Sequence, residues 1–137
     1  MPCTLEELFA EARKAAAFAY APYSRFRVGA ALLGADGRIF TGCNVENRSF
    51  GLTICAERGA VMYAVSRGCR SFTAIAIAAP DSPVPVPPCG ACRQVLSEFM
   101  SPDARVYYGG SSAGRVDLTL GALYPFDSLH DLAVSSA

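Results

Sequence analysis

The feature that most restricts how this chain can fold is a set of three cysteines divided between two segments. Cys55 opens Cys55-Ala56-Glu57-Arg58, while Cys89 and Cys92 lie in Pro88-Cys89-Gly90-Ala91-Cys92, with 33 residues between Cys55 and Cys89. Both segments read as helix beginnings. Thiols three apart in the first turn of a helix face one way, so Cys89 and Cys92 can share an ion. Taken alone that pair is a weak signal, because the same gap marks redox dithiols. A fold that also delivers Cys55 gathers three soft donors, which favour zinc over magnesium or calcium. Three protein ligands leave a fourth position for water, the pattern of a catalytic site rather than a structural one.

Charge limits what such an ion can do. Three thiolates on Zn²⁺ sum to a formal charge of −1, which makes the metal a poorer acid unless something offsets it. Two helix N-termini each supply roughly half a unit of positive charge. Arg58 is placed to donate a hydrogen bond to a thiolate without binding the metal. Glu57, next to the ion but not bonded to it, is the candidate proton carrier. The one histidine, His130, lies in the polar tail and reads as a surface residue. Acid–base work near neutral pH therefore falls to the carboxylate.

Along the chain, Thr4-Leu5-Glu6-Glu7 fits a capping box, and Leu5, Leu8, Phe9, Ala12, Ala15, Ala16 and Ala19 continue at helical spacing. Pro22 predicts a stop near Tyr20. Val28–Leu33 and Arg38–Val45 flank the turn sequence Gly34-Ala35-Asp36-Gly37 and read as a hairpin. An irregular segment, Glu46–Thr53, leads to the helix that begins at Cys55 and ends at Gly68. Phe72–Ala79 is a strand covered on both faces, and the prolines of Pro80–Pro88 stiffen a loop. A third helix is predicted over Arg93–Met100, stopped by Ser101-Pro102, followed by strands Arg105–Tyr108 and Arg115–Leu120. This order predicts an α/β domain over residues 1–137: a three-layer α-β-α arrangement with a mixed sheet of about five strands.

Composition narrows the function classes. Acidic and basic residues balance at 12 each with no basic stripe, which argues against a nucleic-acid surface. The chain is 52% hydrophobic, with a mean hydropathy of +0.27. No run approaches the roughly 20 apolar residues of a membrane span, so the apolar surplus is assigned to contacts between subunits. Six cysteines behind a start, Met1-Pro2-Cys3-Thr4, that lacks secretion-signal character point to the reducing cytoplasm. Cys3, Cys43 and Cys69 read as packed or incidental thiols.

At these residues the sequence resembles the small zinc-dependent cytidine deaminases. The likeness rests on Cys55-Ala56-Glu57 with Pro88-Cys89-Gly90-Ala91-Cys92, on Tyr20 to Leu32, and on Gly42-Cys43-Asn44-Val45-Glu46-Asn47. It runs from about Leu5 to His130. The related deaminases that act on nucleic acids carry histidine where this chain has Cys55.

The resemblance implies one Zn²⁺ per subunit on Cys55, Cys89 and Cys92, with Glu57 moving protons as cytidine or 2′-deoxycytidine is hydrolysed at C4. It implies that Asn44 and Glu46 hold the ribose 3′-hydroxyl, which suits residues two apart in an extended segment. Phe26, with Val28 on the same wall, would pack on the pyrimidine, and the Ala56 N–H would meet the base's carbonyl oxygen. It further implies a homotetramer with sites at subunit contacts, where Phe126 reaches a neighbour's site. Two departures stand out: Phe50 replaces a frequent tyrosine near the 5′ side of the substrate, and the segment Leu123-Tyr124-Pro125-Phe126 is shorter than usual.

Three other readings stay open on the residues: a deaminase of modified cytosine nucleosides or a nucleoside antibiotic, a structural zinc module closed by Cys43 or Cys69, and a dithiol oxidoreductase using Cys89 and Cys92.

Overall fold

The computed structural model describes residues 3–132 and Val134, the His130 side chain excepted, so the surface reading of His130 falls outside the described part. The first helix, α1 (Leu5–Ala16), starts as its sequence demands. Thr4 Oγ1 accepts from Glu7 N at 3.1 Å and Glu7 Oε1 accepts from Thr4 N at 2.9 Å, closing the capping box. The helix stops at Ala16, short of the expected Tyr20. Ala17, Phe18 and Ala19 tighten into bonds that span three residues, and Tyr20 N donates to Asn44 O at 3.0 Å. A long-range bridge between Tyr20 and Val45 captures the chain before the helix can continue.

Five strands form one mixed sheet in the order β2-β1-β3-β4-β5. Its members are β1 (Gly29–Gly34), β2 (Ile39–Cys43), β3 (Phe72–Ala78), β4 (Met100–Gly109) and β5 (Arg115–Thr119). The hairpin β1–β2 is present as predicted, and only β3 and β4 pair in parallel. Because β1 is antiparallel to both neighbours, β2, β3 and β4 all run in one direction. Their C-terminal ends share an edge of the sheet with the beginning of β1.

The third helix differs from expectation. Observed as α3 (Gly90–Ser97), it begins and ends three residues earlier than predicted. Phe99 O accepts from Phe72 N and Met100 enters β4 opposite Phe72, so sheet pairing takes residues whose periodicity is helical. Ser101 and Pro102 are consequently extended chain, in an irregular entry to β4 before regular pairing resumes at Arg105.

The sheet is sandwiched, which bears out the three layers. On one face Leu8, Phe9 and Ala12 of α1 pack against Ala31, Ala74, Ala76 and Ala78. On the other, Ala56, Ala60, Val61 and Ala64 of α2 (Ala56–Ser66) and Leu96 of α3 pack against Leu32, Ile75, Ile77 and Val106. Alternation along β3 sends alanines one way and isoleucines the other. Each fully buried Leu, Ile or Phe contributes about 1.5–3 kcal/mol of transfer free energy.

Two glycines set how closely the helices approach. A Cβ on Gly29 would lie 1.9 Å from Ala12 O, and one on Gly42 would lie 2.5 Å from both Ala56 O and Ala60 N. Gly42 thus lets the first turn of α2 rest directly on β2.

Candidate metal centre and active site

Cys55 and Cys89 occupy equivalent places. Each is the N-cap of a helix, of α2 and α3 respectively, with extended backbone and no side-chain capping bond. Their sulfurs are thereby free for other work. The chain leaving β2 reaches Cys55 and the chain leaving β3 reaches Cys89, so shared strand direction brings the two helix starts to one edge. Cys92, in the first turn of α3, is buried behind them.

The three sulfurs lie within 4.8 Å of one another. Cys55 Sγ is 3.9 Å from Cys89 Sγ, and Cys89 Sγ is 3.4 Å from Cys92 Sγ. Thiolates about 2.3 Å from one tetrahedral centre stand about 3.8 Å apart, so this spacing fits zinc. Arg58 Nη2 donates to Cys55 Sγ at 3.3 Å, the contact expected from the charge argument. Its Nε is buried without a partner. The thiol of Cys92, then Arg58 and Cys89, pull Cys55 down to about 5 against the opposing effect of burial. The same contact with Cys55, together with burial, pushes Cys92 up. Contact among the sulfurs and with Arg58 thus favours the charged form of Cys55, and a bound metal requires its cysteine ligands as thiolates.

Glu57 is only 5% exposed. Burial raises its carboxyl to about 7, helped by the Cys55 thiolate and opposed by Arg58 and Cys92. A carboxyl poised near neutrality accepts and returns a proton with little free-energy cost either way. Ala56, the first residue of α2, offers one of the main-chain N–H groups that have no partner within a helix's first turn.

Asn44 and Glu46 both bond within the protein, to the segment 23–28. Asn44 Oδ1 accepts from Val28 N at 2.9 Å and its Nδ2 donates to Phe26 O at 2.8 Å. Glu46 Oε1 accepts from Tyr23 N and Ser24 N, at 2.9 and 3.1 Å, and its Oε2 accepts from Ser24 Oγ. Together they fix the backbone of the segment that carries Phe26 and Val28, both half-buried. Arg25 turns this segment with a positive φ of 58°.

Two contributors have no motif to announce them. Asp81 receives Arg27 N at 2.9 Å, Arg27 Nε at 3.0 Å and Arg27 Nη2 at 2.7 Å. It ties the proline-rich loop to the residue between Phe26 and Val28. Ser24 Oγ, bonded to Glu46, also accepts from Phe26 N at 3.0 Å. Both contacts depend on folding over the sheet edge or on a tight turn, and neither residue type signals them.

Phe126 lies elsewhere. It is 91% exposed and lines a groove of about 1170 Å³ with Phe72, Met100 and Pro102, at the beginnings of β3 and β4. Within its own chain it is at the far end of the sheet from the thiols. Phe50 is exposed too, with its ring edge-on to Tyr23 at 5.6 Å. Cys43 and Cys69 do not join the thiol cluster: Cys69 Sγ donates to Ser71 O at 3.6 Å, and the cluster among the described residues contains three cysteines. A four-thiolate structural site is therefore not formed.

Comparison with known proteins points the same way. The profile of the cytidine and deoxycytidylate deaminase zinc-binding region matches residues 3–109. A cytidine deaminase of Sporosarcina psychrophila is 50% identical over 121 residues, covering 88% of each chain. One from Halalkalibacterium halodurans is 51% identical over 118 residues, covering 86% of this chain and 89% of the other. The crystal structure of cytidine deaminase from Burkholderia pseudomallei superposes with a TM-score of 0.85 at 44% identity, covering 89% of this chain and 97% of that one.

Proposed function

The chain belongs to the cytidine and deoxycytidylate deaminase family and is a zinc-dependent hydrolytic deaminase of cytidine; from that premise we propose how its residues divide the work, and that 2′-deoxycytidine is a substrate as well. The observation that carries this reading is the cluster of three sulfurs within 4.8 Å of one another, with the buried Glu57 beside it.

Cys55, Cys89 and Cys92 hold the zinc, which when bound supplies Lewis acidity that makes water a nucleophile near neutral pH. Arg58 offsets part of the thiolate charge through its bond to Cys55. Phe26 and Val28 flank the pyrimidine, and the Ala56 N–H binds its carbonyl oxygen. Asn44 and Glu46 hold the sugar's 3′-hydroxyl with the lone pairs and amide hydrogen left over from their backbone bonds. Glu57 takes a proton from water and delivers it to N3 as oxygen bonds to C4. The proton of the new C4 hydroxyl then passes through Glu57 to the amine, the C4–N bond breaks as the C4 carbonyl forms, and uridine and ammonia leave.

The whole chain acts as one catalytic domain within a homotetramer. Exposed apolar side chains support that assembly, among them Phe18, Phe50, Leu52 and Phe126. Phe126, remote from its own thiols, would serve a neighbour's site, and Phe50 would meet the 5′ side there. No helix among the described residues is long and apolar enough to cross a membrane, and all six cysteines are free. The free cysteines support a place in the reducing cytoplasm.

The test combines loss of cytidine absorbance with zinc quantitation on one sample, then repeats both with Glu57→Gln. Zinc-loaded E57Q working at the wild-type rate would overturn the assignment of Glu57. Turnover of 5-substituted cytidines in preference to cytidine would favour the modified-nucleoside reading.

A further inference from the structure

Arg93 is absent from the chemistry above, yet it bonds the chain on both sides of Cys89. Its main-chain N–H donates to Cys89 O at 3.0 Å. Its side chain runs back toward the helix start, the direction helical side chains favour. There Nε donates to Pro88 O at 2.8 Å. One residue thus holds the carbonyls on both sides of the Cys89 α-carbon. Pro88 is fully buried, so its carbonyl oxygen needs a partner from the protein.

The third contact leads away from the site. Arg93 Nη1 donates to Leu123 O at 2.8 Å. Leu123 is the last residue of α4 (Leu120–Leu123), whose end carbonyls have no partner within the helix. The next residue, Gln94, accepts from Tyr124 OH. A planar guanidinium bonding two carbonyls from separate segments fixes their relative position, which a single ammonium does less well. Among the described residues Arg93 enters no ion pair.

We propose that Arg93 is a positioning residue that couples the tail at Leu123-Tyr124 to the zinc ligand Cys89, holding Cys89 in its ligating conformation. It acts through the Pro88–Cys89 backbone and touches neither substrate nor metal. Because tail and ligand loop share this one side chain, displacement of the tail loosens the metal. The inference rests on zinc being held by the three thiols. A wild-type protein that purifies without zinc and binds none defeats that reading, whereas the comparison below concerns Arg93 alone.

The experiment measures zinc release from loaded protein to a chromogenic chelator in excess, for wild type, Arg93→Lys and Arg93→Met, alongside thermal melting of each. R93M is expected to release zinc at least 10-fold faster than wild type, with R93K between them because an ammonium keeps one carbonyl. Removing the Tyr124 hydroxyl (Tyr124→Phe) loosens the tail and is expected to speed release about 2- to 3-fold, an effect that disappears in the R93K background. Release rates equal to wild type in R93M, with or without a lowered melting temperature, overturn the proposal. If R93M yields no folded protein, R93K decides: release at the wild-type rate overturns it, and faster release supports it.

Discussion

Glu57 shows how the fold changes the acidity of one side chain. Acids are common in a helix's first turn, where they favour the positive end of the dipole. Here the same residue is buried, and the cost of charging it there raises its carboxyl to about 7. Replacing it by glutamine keeps the size and removes the proton. Glu57→Gln is therefore expected to keep its zinc while kcat falls by about 10²–10⁴-fold, as read from cytidine absorbance. Asp81 carries the opposite shift. The Arg27 side chain and then its backbone N–H hold the Asp81 carboxyl down at about 2. A carboxyl depressed on folding stabilises the protein above its unfolded value of about 4, and that contribution disappears as pH falls from there through 2. A carboxyl ¹³C titration should place the midpoint near 2, and Arg27→Gln should move it toward the ordinary carboxylate range. No movement would deny that the pair is formed in solution.

The elements deliver these residues because close packing fixes where each helix begins. α2 can rest on β2 only because Gly42 lacks a Cβ. Gly42→Ala pushes a methyl carbon to 2.5 Å from Ala56 O and Ala60 N, backbone atoms of α2 that cannot swing aside as a side chain can. Overpacking of this kind costs about 1–3 kcal/mol. The variant is expected to melt earlier and to lose activity in the folded fraction, since Cys55, Glu57 and Arg58 ride on the displaced turn. The start of α1 gives a contrasting case. Thr4→Ala removes the cap and is expected to cost about 1 kcal/mol by chemical denaturation. Activity of the folded protein should be unchanged, because α1 lies on the face of the sheet away from α2 and α3.

For the whole molecule, metal and assembly should behave as linked terms. Chelating the zinc should abolish deamination and lower the melting temperature, and adding zinc back should restore both, since a ligand bound only by the folded state stabilises it. Light scattering should report a mass four times that of the chain, and a monomer of full activity would reject the tetramer.

The ligand set could be read in the sequence because soft donors at a helix-compatible spacing beside an acid obey local rules. The hairpin, the capping box and the double-sided β3 were legible for the same reason: periodicity and turn chemistry act within a few residues. Where α1 and α3 end was not, because Tyr20 pairs with Val45 and Phe99 with Phe72, and such distant pairing overrides helical periodicity. Likewise, only the tertiary structure revealed that Asp81 holds Arg27, that Asn44 and Glu46 brace the Phe26 segment, and that Arg93 joins Pro88 to Leu123. Local pattern was enough to single out the three sulfurs that the structure gathers within 4.8 Å. The fold decided how acidic Glu57 is and what keeps Cys89 in place, because desolvation and long-range hydrogen bonds depend on neighbours that no local pattern records.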